Sequence, residues 1–196
     1  MKKVAVLVSG GGTNLQALLD CGIEISLVIS SKPNVYALTR AENAGIPTAV
    51  VDWSSYKSAA DGRETFSREI LRILQENHIE LIVYAGFLVV LSECVCNAYP
   101  NAMVNVHPSL IPAFSGEGYY GLKVHRAALE RGVKVSGATV HYVTSECDGG
   151  PILLQKAVDV LDGDTPETLQ ERVMHVEREI LPQAVRLLIS KSEKQN

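Results

Sequence analysis

The chain has 196 residues, 46% of them hydrophobic, enough for one sizeable core. With 18 Lys+Arg against 22 Asp+Glu the net charge is -4, which excludes a global basic surface for nucleic acid. It leaves room for small anionic ligands, since a site can be locally positive on an acidic protein.

The first apolar run, 4–8, ends at Ser9 and three glycines. It is too short for a signal-peptide core of about 7 residues or more, and nothing nears the roughly 18 apolar residues of a membrane span. A cytoplasmic protein without membrane association is expected. Run 4–8 reads instead as a buried parallel strand. Apolar residues at helical spacing follow over 13–19. A second buried strand is expected over 25–29, a helix over 36–44 stopped by Gly45 and Pro47, and a short strand over 48–51. Residues 63–77 form an amphipathic helix with Phe66, Ile70, Ile73 and Leu74 on one face. Then come a strand over 81–85, a short helix over 91–97, a strand over 102–106 and a helix over 122–130 closed by Gly132.

The pattern changes after that. Two strands, 137–143 and 152–160, flank a turn over 144–151. A long helix starts at Thr165, with Pro166 in its first turn and Glu167 and Glu171 near its positive end. Pro182 is expected to kink or break it, and 190–196 is expected to fray. The alternation of strands and helices implies an α/β fold with a doubly wound, mostly parallel sheet, the late strands joining it partly antiparallel. Without repeats or linkers, residues 1–196 read as a single domain.

Two stretches carry chemistry. Ser9-Gly10-Gly11-Gly12-Thr13-Asn14 joins a strand end to a helix start, where backbone N–H groups and the helix dipole favour a phosphate. Leu15 spoils the dinucleotide fingerprint, and no Gly-Lys-Ser/Thr follows, so a simple monophosphate is the expected guest rather than NAD or ATP. The alternative is a tight turn with nothing bound. The second stretch is Asn105-Val106-His107-Pro108. Residues i and i+2 of a strand face one side, and Pro108 keeps His107 extended, so Asn105 and His107 face one site. Asp148 sits before Gly149-Gly150 in the later turn. A carboxamide, an imidazole and a carboxylate suit acyl-type transfer, with an oxyanion stabilised and a proton moved. No Ser or Cys is placed for a covalent step, although Ser109 and Cys147 are near in sequence. Each residue also has an ordinary structural reading, as turn former or turn histidine. His125, His141 and His175 read as structural, and His78 as a helix-terminal cation. Cys94 and Cys96 form a lone C-x-C, so no metal is expected.

Four segments in order, "SGGGTNLQALL", "AGFLVVLS", "NVHPSLIPAFSG" and "ATVHYVTSECDGGPILLQ", make the chain resemble the folate-dependent formyltransferases. The glycine loop with Thr13-Asn14 narrows the resemblance to the phosphoribosylglycinamide (GAR) formyltransferases of purine biosynthesis. It implies a Rossmann-like N-terminal half, with 1–100 as the phosphate-substrate half and 101–196 as the catalytic and folate half. It implies transfer of a formyl group from 10-formyltetrahydrofolate, as co-substrate, to the GAR amine by direct attack. Asn105 and His107 would stabilise the oxyanion and Asp148 would aid proton transfer. Gly11, Gly12, Thr13, Asn14 and Glu177 would hold GAR. Arg63 would approach the folate carboxylates, and Leu88, Val89, Val90, Leu91, Thr144, Ser145, Glu146 and Cys147 would line the pterin pocket. Val89 stands where some members carry Arg, and 117–121 is longer than in other members. The resemblance implies a monomer or homodimer.

Rival readings are a methionyl-tRNA formyltransferase, which would carry a further tRNA-binding domain, a formyltetrahydrofolate hydrolase, which would usually carry an N-terminal regulatory domain, and a non-catalytic phosphate or nucleotide binding module.

Overall fold

The computed structural model describes residues 2–193. Its elements in chain order are β1 (Val4–Val8), α1 (Thr13–Asp20), β2 (Leu27–Ser30), α2 (Tyr36–Asn43), β3 (Thr48–Val50), α3 (Gly62–Glu76), β4 (Leu81–Tyr84), α4 (Glu93–Ala98), β5 (Met103–His107), α5 (Leu122–Arg131), β6 (Val135–Tyr142), β7 (Ile152–Asp159) and α6 (Pro166–Glu193). The expected elements are all present, with ends shifted by a few residues. A short 3-10 turn, Trp53–Ser55, was not expected. Asp52 caps it, its side chain accepting from the Ser54 N–H, a signal too short to stand out in sequence.

One seven-stranded sheet runs in the order β3-β2-β1-β4-β5-β6-β7. The first five strands of that row pair in parallel, and β5-β6 and β6-β7 pair antiparallel. Every residue of β1 is buried, as a parallel strand covered on both faces requires. Its side chains divide by alternation. Val4, Val6 and Val8 join Leu15 and Leu18 of α1 and the apolar stripe of α6 from Leu169 to Leu188. Ala5 and Leu7 face the other way, toward Phe66, Ile70 and Leu74 of α3. The helices thus cover both faces, while β7 at the open edge is mostly exposed.

Of the kink or break expected at Pro182, the break needs correction. The helix is not broken at Pro182 but continues through it to Glu193. Packing of Ile180, Leu181, Ala184 and Val185 against the sheet holds the segment helical on both sides of the ring, which outweighs the missing N–H. The expected frayed tail is helical as far as Glu193, and its remainder, 194–196, lies outside the described residues.

The strand order reverses between β1 and β4, the place where open α/β sheets leave a crevice at the carboxyl ends of their strands. Ser9 ties the two loops there: its hydroxyl accepts from the Leu88 N–H at 3.0 Å and shares a 2.6 Å hydrogen bond with Ser31.

Candidate active site

A cleft of about 700 Å³ opens at that crevice. Thr13, Asn14, Arg63, Leu88, Val89, Val90, Leu91, Asn105, His107, Thr144, Ser145, Glu146, Cys147, Asp148 and Glu177 all line it. Gly11 and Gly12 do not. They adjoin Thr13 in the same loop, which meets Ala37 and Arg40 of α2.

At one end, β5 and β6 present a polar cluster. Their antiparallel register pairs Asn105 with His141 and His107 with Thr139, so all four face one side of the sheet. The Asn105 Nδ2 lies 3.2 Å from His141 Nε2 and 3.5 Å from Asp148 Oδ1. His141 Nδ1 is 2.9 Å from the Tyr142 carbonyl. A carbonyl only accepts, so Nδ1 carries a hydrogen toward Tyr142, and Nε2 lies between the Asn105 amide and Asp148 Oδ1, 3.5 Å from the latter. By the same argument His107 Nε2 donates to the Phe114 carbonyl at 2.9 Å. Its Nδ1 then faces Asp148 Oδ2 at 3.4 Å. His141 was expected to be an ordinary strand residue. Only the strand register reveals it as part of the cluster.

Asp148 reaches the cluster from the turn after β6, with a positive φ of 55° that Asp tolerates. A Cβ at Gly150 would overlap the Tyr142 carbonyl, so the glycine lets the turn close down on β6. Burial alone would raise the Asp148 carboxyl. The His141 hydrogen bond, the nearby His107 and the Gly116 N–H at 2.9 Å outweigh it and hold the group below the usual carboxylate range. For His107 burial dominates over Asp148 and Phe114 and lowers its affinity for a proton. Asp148 Oδ2 and His107 Nδ1 thus face each other at 3.4 Å, a separation across which a proton can be exchanged.

The backbone behind His107 is held by the hairpin. Thr139 Oγ1 donates to the Ser109 carbonyl at 2.7 Å and accepts from the Ile111 N–H at 3.1 Å. Gln155 of β7 donates to Thr139 Oγ1 at 2.9 Å and to the Ile111 carbonyl at 3.0 Å. Ser109 is fully buried and donates to the Ala113 carbonyl. Burial, then Asp148 and Glu117, raise the Cys147 thiol. Neither group is prepared as a nucleophile.

At the other end α1 and α6 meet. Asn14 Nδ2 donates to Glu177 Oε2 at 2.9 Å. Burial raises the Glu177 carboxyl to about 7, against the Asn14 hydrogen bond and Arg178. The Asn14 Oδ1 is buried without a partner among the described residues, as an acceptor awaiting a donor would be. Gln170 and Met174 of α6 also line this end. Helical spacing relative to Glu177 is the only sequence signal for them, and it does not separate cleft from core. His125 of α5 lines the cleft too. Burial, and then His107, lower it to about 4, so it is neutral at working pH.

Leu88 and Val90 stand exposed at the rim, whereas Val89 and Leu91 pack into the α3 side of the core. Arg63, at the start of α3, lies on the same wall. Among the described residues no group of three or more His, Cys, Asp or Glu is placed to hold a metal ion, and no helix is long and apolar enough to cross a membrane.

The family model described as formyl transferase matches residues 2–185. The phosphoribosylglycinamide formyltransferase of Escherichia coli is 38% identical over 185 residues, covering 91% of this chain and 83% of its own. The human trifunctional purine biosynthetic protein adenosine-3 is 43% identical over 194 residues, or 96% of this chain, but the chain spans only 18% of that protein. Among solved structures, glycinamide ribonucleotide transformylase 1 of Symbiobacterium toebii superposes with a TM-score of 0.88 at 40% identity, over 97% of this chain and 89% of that one. The chain belongs to the formyl transferase family, in its phosphoribosylglycinamide formyltransferase branch.

Proposed function

We propose that the protein transfers the formyl group of 10-formyltetrahydrofolate to the amine of GAR in purine biosynthesis, without a metal, and that residues 1–196 act as one domain whose first half seats the phosphate and whose second half supplies the catalytic cluster. The observation that carries this reading is the convergence of Asn105, His107, His141 and Asp148 at one end of a cleft whose other end holds Asn14 and Glu177.

The GAR phosphate sits at the start of α1, where free N–H groups and the helix dipole favour an anion. The ribose hydroxyls lie against the Asn14–Glu177 pair, one of them donating to the unpartnered Asn14 Oδ1. The folate enters past Leu88 and Val90, its pterin against 88–91 and 144–147 and its carboxylates toward Arg63. The amine nitrogen then attacks the formyl carbon, and a tetrahedral intermediate forms with its charge on oxygen. The Asn105 amide donates to that oxygen. The gap between His107 Nδ1 and Asp148 Oδ2 receives the proton that leaves the amine. Once protonated, Nδ1–H is a second donor to the oxyanion. The C–N10 bond breaks, N10 takes the proton, and tetrahydrofolate and formylated GAR leave. With Ser109 and Cys147 both unprepared, no covalent intermediate is needed.

The test is formyl transfer with purified protein, GAR and 10-formyltetrahydrofolate, followed by absorbance of the released folate. Release that requires GAR is expected. Release without GAR would indicate a hydrolase, and no release from folded protein would reduce the site to a binding site.

A further inference from the structure

The glycine loop touches α2 on the side away from the cleft. The Ala37 N–H donates to the Gly10 carbonyl at 3.2 Å, and Arg40 Nε donates to the Gly11 carbonyl at 2.9 Å. In a planar trans peptide the C=O of one residue and the N–H of the next point in opposite directions. With both carbonyls turned toward α2, the N–H groups of Gly11 and Gly12 turn away from it. Arg40 is itself fixed. Its Nη1 donates to Gln16 Oε1 at 2.8 Å, its guanidinium lies 4.8 Å over the Tyr36 ring, and Gln16 is anchored in turn by donating to Asp20 at 2.8 Å.

We propose that Arg40, which does not line the cleft, is a positioning residue for phosphate recognition: by holding the Gly11 carbonyl it sets the Gly11–Gly12 peptide so that the Gly12 N–H faces the substrate phosphate. The inference rests on the reading of this loop as the phosphate's seat. Arg40 acts through the geometry of its Nε–H rather than through its charge, since a planar guanidinium held at three points fixes direction as a lysine does not.

The experiment compares GAR with the same glycinamide riboside lacking its phosphate, as acceptors for the wild-type enzyme and for Arg40→Met. The KM ratio of the two acceptors measures phosphate recognition alone. The expected result is a strong wild-type preference for GAR that falls about tenfold or more in Arg40→Met, as when a hydrogen bond to a charged group is lost. The riboside KM, the folate KM and kcat are expected to stay within about twofold, because uniform damage to the fold would move both acceptors together. Arg40→Lys is expected to behave like Arg40→Met. If Arg40→Met does not fold, Arg40→Lys and Gln16→Leu, which frees Nη1, read the same ratio. A strong wild-type preference left intact in the variants would overturn the role of Arg40 while sparing the loop reading, and full rescue by Arg40→Lys would reassign the effect to charge. A wild type that shows no preference for GAR would overturn the loop reading and this inference with it.

Discussion

In the proposed mechanism Asn105 contributes a donor that has value only where charge develops. Its replacement by Ala is expected to lower kcat by about a hundredfold or more, with both KM values little changed, as for one lost oxyanion donor; steady-state kinetics on folded protein measure this, and unchanged turnover would remove Asn105 from the mechanism. Glu177 makes a separate prediction. Its buried carboxyl sits at about 7 when folded, against an ordinary value near 4.5. Between those values the unfolded chain is ionised while the folded protein keeps the proton, so folding takes up a proton and stability falls as pH rises from about 4.5 to 7. The loss is on the order of 3 kcal/mol, from about 1.4 kcal/mol per pH unit. Glu177→Gln should flatten this slope and be more stable than wild type at pH 8, while binding GAR more weakly. Denaturant titrations across pH would show it, and equal slopes in the two proteins would refute it. The single-residue signals differed in how far sequence reached them. Asn105 and His107 were legible because strand period and Pro108 constrain the backbone locally. Asp148 was legible from the two glycines after it. His141 was not, because its role depends on lying across the ladder from Asn105, 36 residues away, and no local pattern encodes a register.

At the scale of elements, the hairpin of β6 and β7 is the part of the fold that holds the loop after His107 in place. Thr139 is fully buried and serves three partners, the Ser109 carbonyl, the Ile111 N–H and Gln155. Thr139→Val keeps the shape and strands these groups, so it should cost about 1–3 kcal/mol of stability. Because residues 108–113 carry the backbone beyond His107, kcat should also fall, by about tenfold, since small misplacements near reacting atoms are expensive. A variant that lost stability but kept full turnover would separate the hairpin from the chemistry. The elements themselves were legible from apolar periodicity, including both faces of β1. Pro182 was misleading for a physical reason: burial of α6 on the sheet outweighs one missing hydrogen bond, and burial is a property of the partner surface.

For the whole molecule, the cleft is made by loops from β1, β4, β5 and β6 together with α6, so neither half of the chain contains it. Ligands that bind only the assembled form raise its stability by mass action. GAR at a hundred times its Kd should add about 2.7 kcal/mol, and for a chain of this size that is roughly 5–10 °C in Tm. A thermal shift with GAR, absent with ribose alone, would support the phosphate reading, and equal shifts would count against it. The doubly wound order was foreseeable from the alternation of strands and helices, whereas the meeting of α1 and α6 was not, since it joins parts of the chain that share no local pattern.

The hydrogen bond between Asn14 and Glu177 spans 163 residues. During synthesis the glycine loop leaves the ribosome before α6, which carries the other half of the proposed ribose site. On the proposed reading, this substrate is captured only once α6 has been made, and any protection that it confers against proteolysis begins there.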